Sequence, residues 1–175
     1  MAPQTTPLAN SYWVRPGRLL AGEHPFGESP TDAHDRLAAL REAGIDYFID
    51  LTEIGEMPNY RRLLSKWAEY VRYPIADTAL PKEAAQMREI QARIREAMEK
   101  GHGVFVHCRA GIGRTGMAMG CFLVEDGMAG RAALEELNRL WKQSARASAW
   151  PRIPQTREQA DYITRWEKQR RASAP

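Results

Sequence analysis

Apolar residues recur along this chain in two alternating rhythms. Short unbroken runs such as Tyr47-Phe48-Ile49 and Gly103-Val104-Phe105-Val106 read as buried strands. Between them, apolar residues return every three or four positions, as in Met87, Ile90, Ile94 and Met98, which reads as helix. In order, the pattern predicts a small hairpin pairing Tyr12-Trp13-Val14 with Leu19-Leu20 across Pro16-Gly17, then a helix over 31–43 stopped by Gly44. A strand over 47–51 and a short helix after Pro58 with Leu63, Leu64 and Trp67 come next. A strand over 70–75 leads to a long helix from Pro81 to near Gly101, and a strand over 104–107 leads to a helix over 115–125 stopped at Asp126-Gly127. Two more helices carry Leu134, Leu137 and Trp141, and Ala160, Ile163 and Trp166. Strands separated by helices predict an α/β single domain: a central, mainly parallel twisted sheet with helices on both faces.

Length and charge narrow this further. A chain of 175 residues suits one domain with a sizeable core. Residues 1–9, rich in Pro, Thr and Gln, read as a loose tail; 10–169 form the expected domain and 170–175 a basic, solvated tail. The net charge is only +3, from 25 basic and 22 acidic residues, without the dense basic stripe of a nucleic-acid binder. No apolar run approaches a membrane span, and no secretory signal is seen. Two cysteines suit a reducing cytoplasm and no disulfide framework. The expectation is a cytoplasmic monomer that engages neither nucleic acid nor membrane.

The chemistry concentrates in His107-Cys108-Arg109-Ala110-Gly111-Ile112-Gly113-Arg114-Thr115. The segment lies between a predicted strand and a predicted helix, so it ends at a helix N-terminus, where free N–H groups and the dipole favour anions. Gly111 and Gly113 permit backbone torsions that turn successive amides inward as a nest. The same field favours the thiolate of Cys108, a nucleophile. Arg114 supplies a planar charged fork for two phosphate oxygens. Thr115 can donate its hydroxyl to the cysteine sulfur, and His107 braces the loop. The phosphate-binding set is therefore Arg109, Ala110, Gly111, Ile112, Gly113 and Arg114. A buried structural cysteine in a glycine turn does not account for all these residue types together.

His-Cys-x5-Arg-Thr resembles the signature of the cysteine-dependent protein tyrosine phosphatases, and the short chain resembles their small dual-specificity and Cdc14-like branch. The resemblance runs from about residue 10 to 167. It implies a phosphomonoester hydrolase working through a cysteinyl-phosphate on a phosphorylated protein, with no cofactor and no metal. In that family the general acid lies about thirty residues before the cysteine, often as Pro-x-x-Asp followed by proline; Pro74-Ile75-Ala76-Asp77 with Pro81 fits, so the resemblance implies Asp77. The family also carries a Gln-Thr-x-x-Gln whose first glutamine positions water. Here that is Gln155-Thr156-Arg157-Glu158-Gln159, although Thr156 and Gln159 equally form a helix-capping box.

Alternatives on the same scaffold are a phosphoinositide or RNA 5′-triphosphate phosphatase. From other classes come a catalytically silent phosphate-binding module and a rhodanese-like sulfurtransferase. Glu53 and Glu56 remain open between orienting Arg114 and lying on the surface beside a helix. Cys121 reads as core, and no histidine shows metal-ligand spacing.

Overall fold

The computed structural model describes residues 4–172. Its five strands are β1 (Ser11–Arg15), β2 (Leu19–Gly22), β3 (Ile45–Asp50), β4 (Glu69–Arg72) and β5 (Gly103–His107). They lie in the order β1-β2-β5-β3-β4. The β1–β2 hairpin is antiparallel, and the other three pairings are parallel. The helices are α1 (Pro30–Glu42), α2 (Arg61–Leu64), α3 (Ala84–Glu99), α4 (Arg114–Glu125), α5 (Gly130–Trp141) and α6 (Arg157–Ala172), with a 3-10 turn at Ala145–Ser148.

Strand alternation divides the core in two. Trp13, Leu20, Phe48 and Phe105 pack with Leu37 and Leu40 of α1 and Leu64 of α2. Leu19, Ala21, Ile49, Val104 and Val106 pack with α3 to α6, including Ile90, Leu123, Leu137 and Trp166. The expected sheet covered on both faces is therefore present. Its central strand β5 is buried along its whole length, as a strand covered on both sides must be.

Four expectations need adjustment. The strand expected over 70–75 ends at Arg72, since Pro74 has no N–H to continue a ladder. Tyr73 and Ile75 still donate to the carbonyls of Asp50 and Leu51 (2.9 and 3.0 Å). The long helix starts at Ala84, not Pro81, because Glu83 is extended. The segment expected as a loose tail is fastened within its described part. Leu8 is buried among Trp13 and Leu20, Thr5 O accepts from Trp13 Nε1, and Ala9 O accepts from the Ala145 N–H. Composition suggested looseness there, but one leucine anchors the stretch. At the other end α6 runs through Ala172, past the expected boundary at 169, while residues 1–3 and 173–175 lie outside the described residues.

Candidate active site

The register of β5 sets the site. Its last residue, His107, pairs with Gly22 on one side and Asp50 on the other. Cys108 thus leaves the carboxyl end of the central strand, where parallel sheets place their ligands. The backbone then turns through Arg109–Gly113 into α4. Gly111 makes this possible: its φ is +75°, and a Cβ there would lie 2.5 Å from the Gly22 carbonyl carbon. At Gly113 a Cβ would come within 2.9 Å of Gln159 Oε1 and 3.1 Å of Gln155 Oε1. Gly111 is demanded by its backbone and by the fixed Gly22 main chain, whereas at Gly113 a side chain would press on the ends of the two glutamines.

The loop's carbonyls are taken from outside. Arg109 O accepts from the His24 N–H (3.1 Å), Ala110 O from Arg146 Nη1 (2.7 Å), and Cys108 O from His107 Nδ1 (3.1 Å). The amides of 109–113, by contrast, donate to no acceptor among the described residues. The helix N-cap, Gly113, contributes no capping side chain. A run of free N–H groups therefore meets the positive end of α4, an arrangement that favours an anion. Cys108 sits in it as a free cysteine, 2% exposed.

Arg114 is fixed on three sides. Its Nη1 and Nη2 grip the Glu56 carboxylate at 2.8 and 2.6 Å, and Nη1 also donates to Ile75 O at 2.9 Å. Nη2 lies 3.2 Å from Asp77 Oδ1. The guanidinium hydrogen bonds hold the Glu56 carboxyl below the usual carboxylate range. The buried Arg114 Nε and Thr115 hydroxyl have no hydrogen-bond partner, so each keeps a donor in reserve.

Asp77 occupies a short segment held at three points: Arg114 on Ile75 O, Gln86 on Pro74 O, and Gln159 on Ala79 O. Its carboxylate accepts from its own neighbour Thr78 N and faces Arg114 while half-exposed. Asp77 therefore both closes its own turn and faces the Arg114 guanidinium.

The same duality applies at Gln159. Thr156 and Gln159 form a reciprocal capping box (3.1 and 3.2 Å). Gln159 is also fully buried, donates to Ala79 O and abuts Gly113. Gln155 is exposed and borders Gly113 as well.

Behind the loop lies a buried polar chain. A carbonyl only accepts, so His107 Nδ1 carries its proton toward Cys108 O, and Nε2 accepts from the Tyr60 hydroxyl (2.5 Å). Burial lowers the His107 pKa, consistent with that neutral tautomer. Asp50, fully buried beside it, accepts from Thr52 N and Oγ1, Tyr70 Oη and Arg72 Nη2. Burial works against its charge, but the interaction with His107 and the hydrogen bonds from Thr52 and Tyr70 outweigh it and hold the Asp50 carboxyl below the usual carboxylate range.

Sequence reasoning placed Cys108, Arg114 and Asp77, and the structure brings Arg114 and Asp77 into direct contact. It left Glu56 open. The signal available was Gly55, whose φ of +85° lets the Glu53–Glu56 turn fold back on Arg114. Asp50, Tyr60 and Arg146 had no local signal. Among the described residues no cluster of His, Cys, Asp or Glu is arranged to hold a metal ion, and no helix is long and apolar enough to cross a membrane.

The family model described as "PTP-SAK: Swiss Army Knife protein, DSP-PTPase phosphatase domain" matches residues 8–172. The chain belongs to this DSP-PTPase family. The chain is also similar to "Putative tyrosine phosphatase 067L" of Invertebrate iridescent virus 3. It is 30% identical over 110 residues, which are 60% of this chain and 44% of the viral protein. The chain thus matches less than half the length of each of the two curated viral relatives compared. The crystal structure of Tk-PTP in the active form is 25% identical, with a TM-score of 0.74 over 91% of this chain and 97% of that one. Kinase associated phosphatase carrying a serine for its catalytic-site cysteine gives a TM-score of 0.77 at 20% identity, over 98% of this chain and 100% of that one, a likeness of fold.

Proposed function

We propose that this DSP-PTPase chain hydrolyses phosphotyrosine in proteins, with phosphoserine and phosphothreonine admitted as well, through a phosphorylated Cys108. The observation that carries the reading is the convergence of free loop amides and the clamped Arg114 around a buried cysteine. A phosphate dianion repels nucleophiles, so preorganised donors must first neutralise it. The amides of 109–113 and Arg114 hold the three non-bridging oxygens. Cys108 Sγ attacks phosphorus in line, and the P–O bond to the leaving group breaks as S–P forms. Asp77 gives its proton to the departing oxygen.

The second half reverses the proton's path. Gln155, bordering Gly113, helps place a water molecule, with Gln159 in support. Asp77, now a carboxylate, takes a proton from that water as its oxygen attacks phosphorus. The S–P bond breaks, and Thr115, whose hydroxyl has no other partner, donates to the leaving sulfur. Phosphate leaves and Asp77 is again an acid. The positive charge comes from the amides and Arg114, so the scheme calls on no metal ion.

Among the described residues no long insertion borders the loop, which supports a shallow pocket open to alkyl as well as aryl phosphates. The test is a rate comparison on phosphotyrosine, phosphoserine and phosphothreonine peptides, a phosphoinositide and an RNA 5′-triphosphate. Fastest turnover of phosphotyrosine, followed by the other two peptides, is expected. Preference for the lipid or the RNA would overturn the assignment.

A further inference from the structure

Beside the loop lies a groove that the chemistry above does not use. It runs between α5 and the connector 151–156 to the first turn of α6, with a volume of about 640 Å³. Its apolar lining comes from Leu134, Ile153, Pro154 and Ala160. Asn138 fastens the connector to α5: its Nδ2 donates to Ile153 O (2.8 Å) while its Oδ1 accepts from the Ile153 N–H (3.0 Å). The groove is therefore a built feature rather than a gap between loose segments.

Two properties connect it to the active site. First, Gln155 lines the groove and also borders Gly113, so one end opens beside the phosphate loop. Second, its charge is one-sided. Arg139, Lys142, Arg152 and Arg157 line it against a single acid, Glu135. Arg139 is paired with Glu136 and Arg157 stands 4.0 Å from Asp161, but Lys142 and Arg152 are exposed and pair with no described residue. In a chain whose net charge is only +3, that is a strong local excess.

We infer that this groove binds an acidic segment of the phosphoprotein substrate, next to the phosphorylated residue. The inference rests on the phosphatase reading above and names the substrate class. An extended chain whose phosphate sits in the loop can pass Gln155 into the groove. Its Asp or Glu side chains then meet Lys142 and Arg152, while its apolar atoms lie on Ile153 and Pro154. Charges placed this way raise encounter rates and select partners more than they deepen affinity.

The test uses pairs of phosphotyrosine peptides, one with acidic flanks and one with neutral flanks. The native protein should prefer the acidic peptide by on the order of tenfold in kcat/KM, with the preference shrinking as salt rises. In the double variant Lys142→Glu, Arg152→Glu, both at exposed positions, the preference should vanish while turnover of a small aryl phosphate stays unchanged. Equal rates on the two peptides by the native protein would overturn the inference. So would a variant that loses activity on all substrates alike. A failure of the phosphatase reading shows separately, as no turnover of the small aryl phosphate. Binding by the Cys108→Ser protein, followed by fluorescence anisotropy, then still reads the groove: it should favour the acidic peptide, and indifference to the flanks contradicts the inference. Stronger charge-dependent binding to vesicles containing phosphatidylserine than to either peptide would assign the groove to a lipid surface instead.

Discussion

Glu56 and Arg114 form a two-pronged ion pair, with both carboxylate oxygens on both terminal guanidinium nitrogens at 2.6 and 2.8 Å. The pair is largely shielded, Arg114 being 1% and Glu56 14% exposed by side chain. A fork held on one edge presents its remaining edge, with the unpartnered Nε, in a fixed orientation. Replacing Glu56 by Gln removes the charge and one acceptor, so Arg114 loses its two-pronged seat and is held only by Ile75 O, Asp77 and a single amide oxygen. We predict a loss on the order of 10²-fold in kcat/KM for any phosphate ester. Glu53→Gln in the same turn should change it less than about twofold. Steady-state kinetics of the two variants decides this.

Asp77 should matter in proportion to how badly the leaving group needs a proton. Asp77→Asn is expected to slow phenyl phosphate by roughly 10²- to 10⁴-fold, yet barely affect an ester of a strongly acidic phenol. A series of aryl phosphates measures the slope. Equal losses across the series would move the acid elsewhere.

Gly111 leaves no room for a side chain. An alanine there would face the left-handed backbone and a Cβ 2.5 Å from the Gly22 carbonyl carbon. The neighbour is backbone of a central sheet and cannot swing away. Gly111→Ala should cost at least about 2 kcal/mol and abolish phosphate-analogue binding. Urea unfolding and vanadate titration read the two effects.

Acid sensitivity should come from His24. Its ring, edge-on to His107 at 5.0 Å, is pushed down to about 3 by burial and then by that neighbouring imidazole. An unfolded histidine takes up its proton near pH 6.5, which the folded site refuses. The stabilisation is therefore complete above about pH 6.5 and is lost as pH falls toward 3. The slope is up to about 1.4 kcal/mol per pH unit for such a group. His107, lowered in the same direction by burial, adds a loss of the same sign as pH falls below about 6.5. His24→Gln should flatten the fall in urea midpoint between pH 7 and 5. An unchanged slope would assign the sensitivity elsewhere.

What could be read from the chain follows sequence distance. The loop from Cys108 to Thr115 and the glycines within it are one continuous stretch, so residue type and order single it out as the candidate site. The alternating strands and periodic helices likewise report local burial, and the sheet follows from them. Glu56 meets Arg114 from 58 positions away, Tyr60 meets His107 from 47, and Arg146 meets the loop from 36. An isolated glutamate, tyrosine or arginine carries no mark of such a partner until the fold brings them together. Leu8 makes the same point in reverse. Its surroundings read as a loose tail, while one apolar side chain finds the pocket beside Trp13 and Leu20.

The central claim is that Cys108 carries the phosphoryl group between substrate and water. Rapid acid quench of turnover, with mass spectrometry of the digested protein, tests it most directly. One phosphoryl group on the peptide containing Cys108, absent in Cys108→Ser and accumulating in Gln155→Ala, is the expected result. Steady turnover with no phosphorylated Cys108 at any quench time, or full activity in Cys108→Ser, would contradict the account.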